Sequence, residues 1–402
     1  MVKKPVRSII GAVAAAAACW SEAGFGPRTR IREAVGARTG YSLSAVDFAL
    51  DALFGSLRRD AIEAVIADEL GSLDVLDGFA ARHGRPPAHA LPCGRVCIVS
   101  SRTTIGVAIV PAIFALCAKC DVTVKDRDDH LVAAFFETLH GELGELRAAA
   151  TARAWTGDGD SAGLAAFDAV VAFGNDSTLA EIAGALPFST RLIPYGSKAS
   201  AGYVAREALA SESSARAVAR SAARDLVLYE TEGCMSLHVL FAERGGILAP
   251  HRFAELLVAE LPAAAAEFPP GSRDAVVAAR RAMARDLEDF RGGSSRLYSD
   301  PQAASLVVLD PPSEQPPAFL PLAIGIHSVD SAPQAAAYLN RHGITIEALA
   351  IAHPRPDLLS FAAQIGAARL APFGALQTPP LGAFHGGRPR VAEFVRWIVD
   401  ET

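Results

Sequence analysis

The sequence predicts an α/β protein whose core is a series of parallel β-α-β units. From about residue 95, short apolar segments of strand length alternate with longer helix-like segments, and several of the short ones end in glycine. A length of 402 residues provides for two or three separate cores.

The chain opens with MVKKPVRSIIGAVAAAAACW, basic residues followed by a short apolar run. A secretory leader shares that pattern, but helical spacing continues through RIREAVGAR and SAVDFALDALFGSLRRDAIEAVIADEL. An N-terminal helical region over residues 1–90 is the better reading. RVCIVS (95–100) reads as a buried strand, and TTIGVAIVPAIFALCAK (103–119) as a helix that Pro111 either kinks or begins. DVTVK (121–125) is the next strand, followed by the helix DDHLVAAFFETLHGEL. DAVVAFG (168–174) and TRLIPYG (190–196) are further strands; NDSTLAEIAGAL between them is a helix with Asn175, Asp176 or Ser177 as its cap. A second region begins near 226, where DLVLYETEGCMSLHVLFAERGG reads as two strands flanking Gly233 and Cys234. Helices are expected at about 252–264 and 272–290, then strands SLVVLD, LAIGIHSV and IEALAIA. PPSEQPP (311–317) is a loop, and the last forty residues carry turns and one terminal helix.

The 38 Lys and Arg residues and 44 Asp and Glu residues are spread along the chain, for a net charge of −6. With no basic stripe interleaved with aromatics, a nucleic-acid partner is not expected. Alanine accounts for much of the apolar content, and no run of 18 apolar residues occurs beyond the N-terminus, so no membrane span is expected and the location is cytoplasmic. Six cysteines stand at 19, 93, 97, 117, 120 and 234. Cys93/Cys97 and Cys117/Cys120 have the form of two metal half-sites, but their separations are irregular and no histidine adjoins them. Cys97, in an apolar strand, and Cys117, on an apolar helix, read instead as small packed hydrophobes. No metal is expected, and disulfides are disfavoured in a reducing compartment.

A sheet of this kind invites a search for a dinucleotide fingerprint. GDGDSAG (157–163) has one residue too many for G-x-G-x-x-G, follows no strand, and would set two aspartates against a pyrophosphate; it reads as a surface loop. The strand ends are stronger candidates. Lys125 lies at the carboxyl end of a strand, where nucleotide ribose or phosphate binds in such sheets. Gly174, Asn175, Asp176 and Ser177 form a strand-to-helix turn, where N–H groups and the helix dipole hold an anion.

Together, VTVKD, VVAFGNDSTLAEI, RLIPYGSKAS, YETEGCMSLHVLF and APFGALQTPPLGAFHGGRPRVAEFVRW resemble the LuxC-type acyl-CoA reductase family, which belongs to the aldehyde dehydrogenase superfamily. The resemblance runs from about residue 10 to the end. It implies an aldehyde-dehydrogenase-like fold: an N-terminal helical region (1–90) packed on an NAD(P)-binding domain (91–225), a catalytic domain (226–370), and a C-terminal segment (371–402) returning to the cofactor domain. It also implies NADPH as the usual reductant, an acyl-CoA or acyl-carrier thioester as substrate, and a homo-oligomer. Cys234 resembles the family nucleophile, Lys125 the lysine that binds the adenosine ribose, and Gly174 to Ser177 the turn beside the cofactor phosphates. At the place where aldehyde dehydrogenases carry a glutamate base before GGK, this chain has Pro194 or Tyr195. A reductase has no use for that base, which activates water to hydrolyse the acyl-enzyme. Where the family has GNVPG, with an asparagine resembling the oxyanion donor, Arg102 stands, and it retains hydrogen-bond donors for an oxyanion. Where the family has KPS this chain has KDRD: Asp126 or Asp128 would accept a ribose 2′-hydroxyl and favour NADH, whereas Arg127 would pair with a 2′-phosphate and favour NADPH.

The expected chemistry is attack of the Cys234 thiolate on an acyl thioester, followed by hydride transfer to the enzyme-bound acyl group. Gly233 lets the backbone approach closely, so that the Cys234 N–H faces the oxyanion. His238 either stabilises the thiolate and donates a proton, or packs in a strand with its imidazole satisfied. Glu232 is a base or a solvated loop carboxylate, and His385 borders the active site or is a turn residue. The alternatives are acyl-CoA formation from aldehyde with the same thiol, and a cofactor-binding protein without catalysis.

Overall fold

The computed structural model describes residues 3–82, 84–101, 104–126, 130–154, 161–271, 275–291, 295–300, 303–317 and 319–402. They form two compact units: Met1–Thr39 with Val46–Ser197 and Pro380–Thr402, and Gly40–Ala45 with Lys198–Pro379.

In the first unit, β1 (Ala80–Arg82) and β2 (Arg85–Pro92) pair antiparallel, and the C-terminal strand Val395–Val399 adds to the far side of β2. A parallel sheet then forms from β3 (Arg95–Val99), β4 (Asp121–Asp126), β5 (Ala150–Ala154), β6 (Ala169–Phe173) and β7 (Arg191–Tyr195), in the order β5-β4-β3-β6-β7. Its two central strands are continuous apolar runs because helices cover both faces of such sheets: all of Ala169–Phe173 and all but the first residue of Arg95–Val99 are buried. The strand order steps outward on one side from β3 and on the other from β6. The carboxyl edge between them is therefore a topological switch point, where open sheets of this class take ligands. The helix after β3 is Ile109–Cys117, six residues shorter at its start than the sequence reading, with Pro111 in the first turn, where its missing N–H costs no helical bond.

The N-terminal helix Val6–Ser21 is packed into this unit. It buries Val6, Ile9, Ile10, Val13, Ala17 and Trp20. The Trp20 ring sits 5.0 Å from Phe54 and 6.3 Å from Phe135, and its indole N–H donates to Thr138 Oγ1 at 3.0 Å. Among the described residues no single helix is long and apolar enough to cross a membrane; the pair Val6–Ser21 and Gly26–Thr39, bent by 70°, passes that test by length and composition only.

The second unit is a seven-stranded sheet of β8 (Ala199–Val204), β9 (Leu237–Glu243), β10 (Arg296–Asp300), β11 (Ser305–Leu309), β12 (Ala323–Val329), β13 (Ile346–Ala352) and β14 (Arg369–Ala371). The order is β10-β11-β12-β9-β8-β13-β14, parallel except for the β10–β11 pair. Alternate residues of its central strands (Ala201 and Tyr203, Val239 and Phe241, Leu349 and Ile351) pack against Ala335, Leu339 and Phe361 of two covering helices.

Three expectations need correction. The division near 226 moves to 197/198, because β8 is bonded to β9 and β13 and so belongs with them. DLVLYE is not a strand: Leu226 and Val227 end the helix Glu212–Val227, which Ser211 caps by accepting from Ser214 N at 3.2 Å and which buries Ala215, Ala219, Ala222 and Leu226 at helical spacing. The terminal helix is instead a short turn, Ala392–Phe394, followed by the strand Val395–Val399.

Candidate active site

Cys234 lies in a turn just before β9, in the second unit. The turn is closed by Ser236 N donating to Gly233 O at 2.9 Å and Gly233 N donating to Ser236 Oγ at 3.1 Å, and Gln377 Nε2 donates to the same hydroxyl at 2.7 Å. Three successive non-glycine residues before it, Tyr229, Glu230 and Thr231, have left-handed φ of 56°, 51° and 61°. Each costs about 1–2 kcal/mol, so other contacts must hold them. Glu230 Oε1 accepts from Gly271 N at 2.9 Å, and Thr231 Oγ1 donates to Leu320 O and accepts from Leu322 N, both at 2.9 Å. The backbone leading into the thiol is thus fixed from outside its own turn.

The electrostatics around the sulfur come from elements far apart in sequence. Lys198 immediately precedes β8 and Glu347 is the second residue of β13; with the turn before β9 they lie at the amino ends of three adjacent parallel strands. Lys198 Nζ and Glu347 Oε2 are 3.2 Å apart, and the carboxylate side chain is only 4% exposed. Ser200 Oγ ties the turn to β13: it donates to Cys234 O at 2.8 Å and accepts from Ala348 N at 3.2 Å. Burial first, and the Glu347 charge second, push the Cys234 thiol up to about 12, while the N–H groups of Cys234 and Met235 and the Lys198 ammonium pull the other way. Arg369 adds a second cation near Cys234, Glu347 and Asp225, and is anchored by its bonds to the carbonyls of Ala375 and Leu376. Lys198, Glu347 and Arg369 were not among the sequence candidates. Only a neighbouring strand's register reveals Glu347, although Lys198 stands within the quoted YGSK.

His238 lies at the start of β9. Its Nδ1 accepts from Ser200 N at 3.3 Å, so the ring proton sits on Nε2, and its ring lies 5.5 Å from Phe319. Burial pushes it down to about 4, which leaves it neutral at pH 7 and unsuited to donate a proton. Glu232 is half-buried and accepts from the Tyr41 hydroxyl at 3.3 Å. Arg102 lies outside the described residues, as do Arg127, Asp128 and most of GDGDSAG.

The cofactor candidates lie in the first unit. Lys125 is half-buried near the carboxyl end of β4. Its neighbour Asp126 is buried, and its Oδ2 accepts from Ala133 N at 3.0 Å. After β6, Gly174 leads into the helix Asp176–Ala185, which Asn175 caps: its Oδ1 accepts from Thr178 N at 2.9 Å and from Ser177 Oγ at 2.8 Å. Asp176 Oδ1 accepts from Ser197 N at 2.9 Å and sits where a Cβ on Gly196 would come within 2.7 Å, so this tie requires glycine there. With these oxygens engaged locally, the turn's offer to an anion is its first-turn N–H groups. Beyond β6 and β7, Tyr195 stacks on Phe173 at 4.7 Å and on His385 at 4.6 Å, over a space lined also by Pro111 and Arg390 and large enough for about one water (≈ 10 Å³).

No curated protein matches this sequence. Among solved structures, a NAD-dependent benzaldehyde dehydrogenase from Corynebacterium glutamicum superposes with a TM-score of 0.73 at 15% identity, covering 99% of this chain and 86% of that one. An NADP-dependent glyceraldehyde-3-phosphate dehydrogenase from Bacillus halodurans, complexed with NADP, gives 0.71 at 14% identity over 99% and 87%. A 1-pyrroline-5-carboxylate dehydrogenase from Thermus with bound NAD gives 0.65 at 13% identity over 98% and 81%. The fold is that of the aldehyde dehydrogenases, an α/β architecture. The acyl-CoA reductase (LuxC) family profile matches residues 1–397. On that match the chain belongs to the LuxC family of acyl-CoA reductases, enzymes of acyl-CoA and aldehyde redox chemistry.

Proposed function

We propose that this protein reduces an acyl thioester, on CoA or on a carrier thiol, to the aldehyde through an acyl-enzyme on Cys234. The observation that carries the reading is the Cys234 turn, where the N–H groups of Cys234 and Met235 favour the thiolate and the Lys198–Glu347 ion pair acts on its charge. Glu347 accepts the thiol proton as sulfur attacks the carbonyl carbon. The negative charge passes from Glu347 through sulfur to the carbonyl oxygen as the carbon–sulfur bond forms, so no free thiolate accumulates beside the Glu347 carboxylate. The N–H groups of Cys234 and Met235, which favour negative charge at this turn, stabilise the oxyanion that develops as the carbon–sulfur bond forms. Collapse of the tetrahedral adduct expels the CoA or carrier thiolate and leaves a thioester on Cys234. A nicotinamide cofactor supplies the hydride for the second stage. The resulting thiohemiacetal breaks its carbon–sulfur bond, releases aldehyde and returns Cys234 to the thiolate, which recovers its proton from Glu347.

Two structural relatives were solved with NADP and NAD respectively, which supports a nicotinamide cofactor here. The donor set in the first unit fits one. Lys125 suits ribose hydroxyls or a phosphate, and the first-turn N–H groups of Asp176 and Ser177 suit the pyrophosphate. NADPH is the reductant we assign, with NADH the alternative. A tyrosine or proline in place of the glutamate base favours reduction or transfer to CoA over hydrolysis. We further assign a cytoplasmic location and self-association.

The test is intact-protein mass spectrometry after incubation with a panel of acyl-CoAs and no reductant. Wild type should gain the mass of one acyl group, and NADPH should then discharge it as aldehyde. Cys234→Ala should lose both the adduct and aldehyde formation while still binding nucleotide. Turnover near wild type in that variant would refute the assignment, and running the assay from aldehyde plus CoA fixes the direction.

A further inference from the structure

We infer that Cys93 and Cys120, in the first unit, form a peroxide-responsive dithiol that closes into an internal disulfide. Their sulfurs are 3.7 Å apart, although the residues are separated by 27 positions. The contact is held from both sides. Cys93 N–H donates to Phe394 O at 2.8 Å, and Cys120 S–H donates to the same oxygen at 3.5 Å, so one carbonyl of the C-terminal segment draws the two cysteines together. The turn between them is rigid as well. Gly94 has φ +125°, and a Cβ there would come within 2.3 Å of Asp168 Oδ2, which instead accepts from Arg95 N at 2.7 Å. Gly94 O in turn accepts from Asp121 N at 3.2 Å, next to Cys120. A disulfide of ~2.0 Å needs the sulfurs to close by about 1.7 Å, within reach of a side-chain rotation. The closure spends the S–H bond to Phe394 but leaves that oxygen its Cys93 N–H, so no buried acceptor is orphaned.

The two thiols are unequal. Cys93 is half-buried, and Cys120 is fully buried. When Cys93 ionises, the Cys120 S–H turns from Phe394 O to the thiolate; that bond outweighs burial and, with the nearby Arg191 charge, lowers the Cys93 thiol, whereas the same bond, burial and the Cys93 charge raise Cys120. Cys93 is therefore the attacking sulfur. Its thiolate takes an oxygen from a hydroperoxide: a sulfur–oxygen bond forms, the oxygen–oxygen bond breaks, and the first water (or alcohol) leaves. Cys120 then displaces hydroxide from the sulfenic acid; the sulfur–sulfur bond forms, and its proton departs with the second water. Two thiols are oxidised and one peroxide is reduced. Cys97 and Cys117, both pushed up to about 12 by burial, and Cys234, likewise raised, stay behind in this reaction.

The close partners are Cys93 and Cys120, not the sequence neighbours Cys93/Cys97 and Cys117/Cys120. The inference is independent of the function proposed for Cys234.

The test uses the full chain, hydrogen peroxide in slight excess, and alkylation with N-ethylmaleimide after denaturation. Trypsin, cutting after Arg95, Arg102, Lys119 and Lys125, puts Cys93, Cys97, Cys117 and Cys120 on four different peptides, so the linkage can be read directly. The expected result is a Cys93–Cys120 crosslinked peptide, reversed by dithiothreitol, appearing before any oxidation at Cys234. Cys93→Ser should abolish the crosslink and leave Cys120 alkylatable. In Cys120→Ser, a sulfenic acid at Cys93 should be trapped by dimedone. A pair that stays alkylatable while Cys19 or Cys234 is oxidised, or Cys93 that passes to sulfinic acid without crosslinking, overturns the inference.

Discussion

A thiol pushed up to about 12 is almost wholly protonated at neutral pH, so the reactivity assigned to Cys234 has to come from a proton acceptor in its own surroundings. Glu347 fills that role at some cost to the resting thiol, since its charge is the second cause of the raised value after burial. Replacing it therefore has two opposed effects. Glu347→Gln removes the acceptor, which should slow single-turnover acylation by about 10²–10⁴-fold at pH 7, and it also removes a repelling charge, which should lower the thiol below its wild-type value. The acylation rate of the variant should then rise about tenfold per pH unit toward alkaline pH, because thiolate now forms only by loss of a proton to solvent. Stopped-flow acylation measured from pH 6 to 10 distinguishes the outcomes. A variant with an unchanged rate and pH dependence would leave Glu347 as a partner for Lys198 alone.

At the scale of elements, the sequence was most readable where a strand is buried on both faces. RVCIVS, DAVVAFG, SLVVLD and IEALAIA all appear in the structure within a residue or two of their expected ends, as does DVTVK, whose burial alternates. The elements that were missed have mixed polarity or are paired by distant partners. RPPAHALP has two adjacent prolines and no alternation, yet it forms β2 because Val395–Val399 pairs with it from the other end of the chain, Trp397 opposite Ala90 and Val399 opposite Ala88. Likewise, VAEFVRWIVDET has helical-looking spacing that the tertiary pairing overrides. The site divides in the same way: the turn cysteine, the strand-end lysine and the helix-capping turn were visible as local motifs. Glu347 and Arg369 were not, because nothing local ties positions 347 and 369 to 234; only the strand order β9-β8-β13-β14 brings them there. The pairing of the C-terminal strand can be tested directly. Ending the chain after Phe394 should expose the β2 edge, strip the Arg82–Trp397 stacking at 4.1 Å, and raise amide exchange at His89 and Leu91, which face the lost strand, by an order of magnitude or more. Unchanged protection at those two amides would mean that β2 does not depend on its distant partner.

For the whole molecule, acid response follows from three groups that desolvation shifts in opposite senses of stability, all in the second unit. His238 and His327 are each pushed down to about 4 by burial. An unfolded chain takes up their protons below about 6.5 while the folded one does not, so they withdraw stability as pH falls through 6.5, about 2 kcal/mol each by pH 5. Asp225 works in the other direction. Burial pushes it up to about 7, against the N–H groups of Gly374 and Leu376, and its Oδ2 accepts from Gly374 N at 2.6 Å. The folded state therefore binds that proton before the unfolded one does, which returns about 2 kcal/mol between pH 7 and 5. From these three groups the net loss in wild type is about 2 kcal/mol over that window. Asp225→Asn keeps an acceptor for Gly374 but removes the compensating titration, so its loss should approach 4 kcal/mol. Urea midpoints of both proteins at pH 7, 6 and 5 measure the difference. Parallel lines for wild type and variant would mean that Asp225 is ionised throughout, held in that state by Gly374, Leu376 and the nearby Arg369 rather than neutralised by its burial.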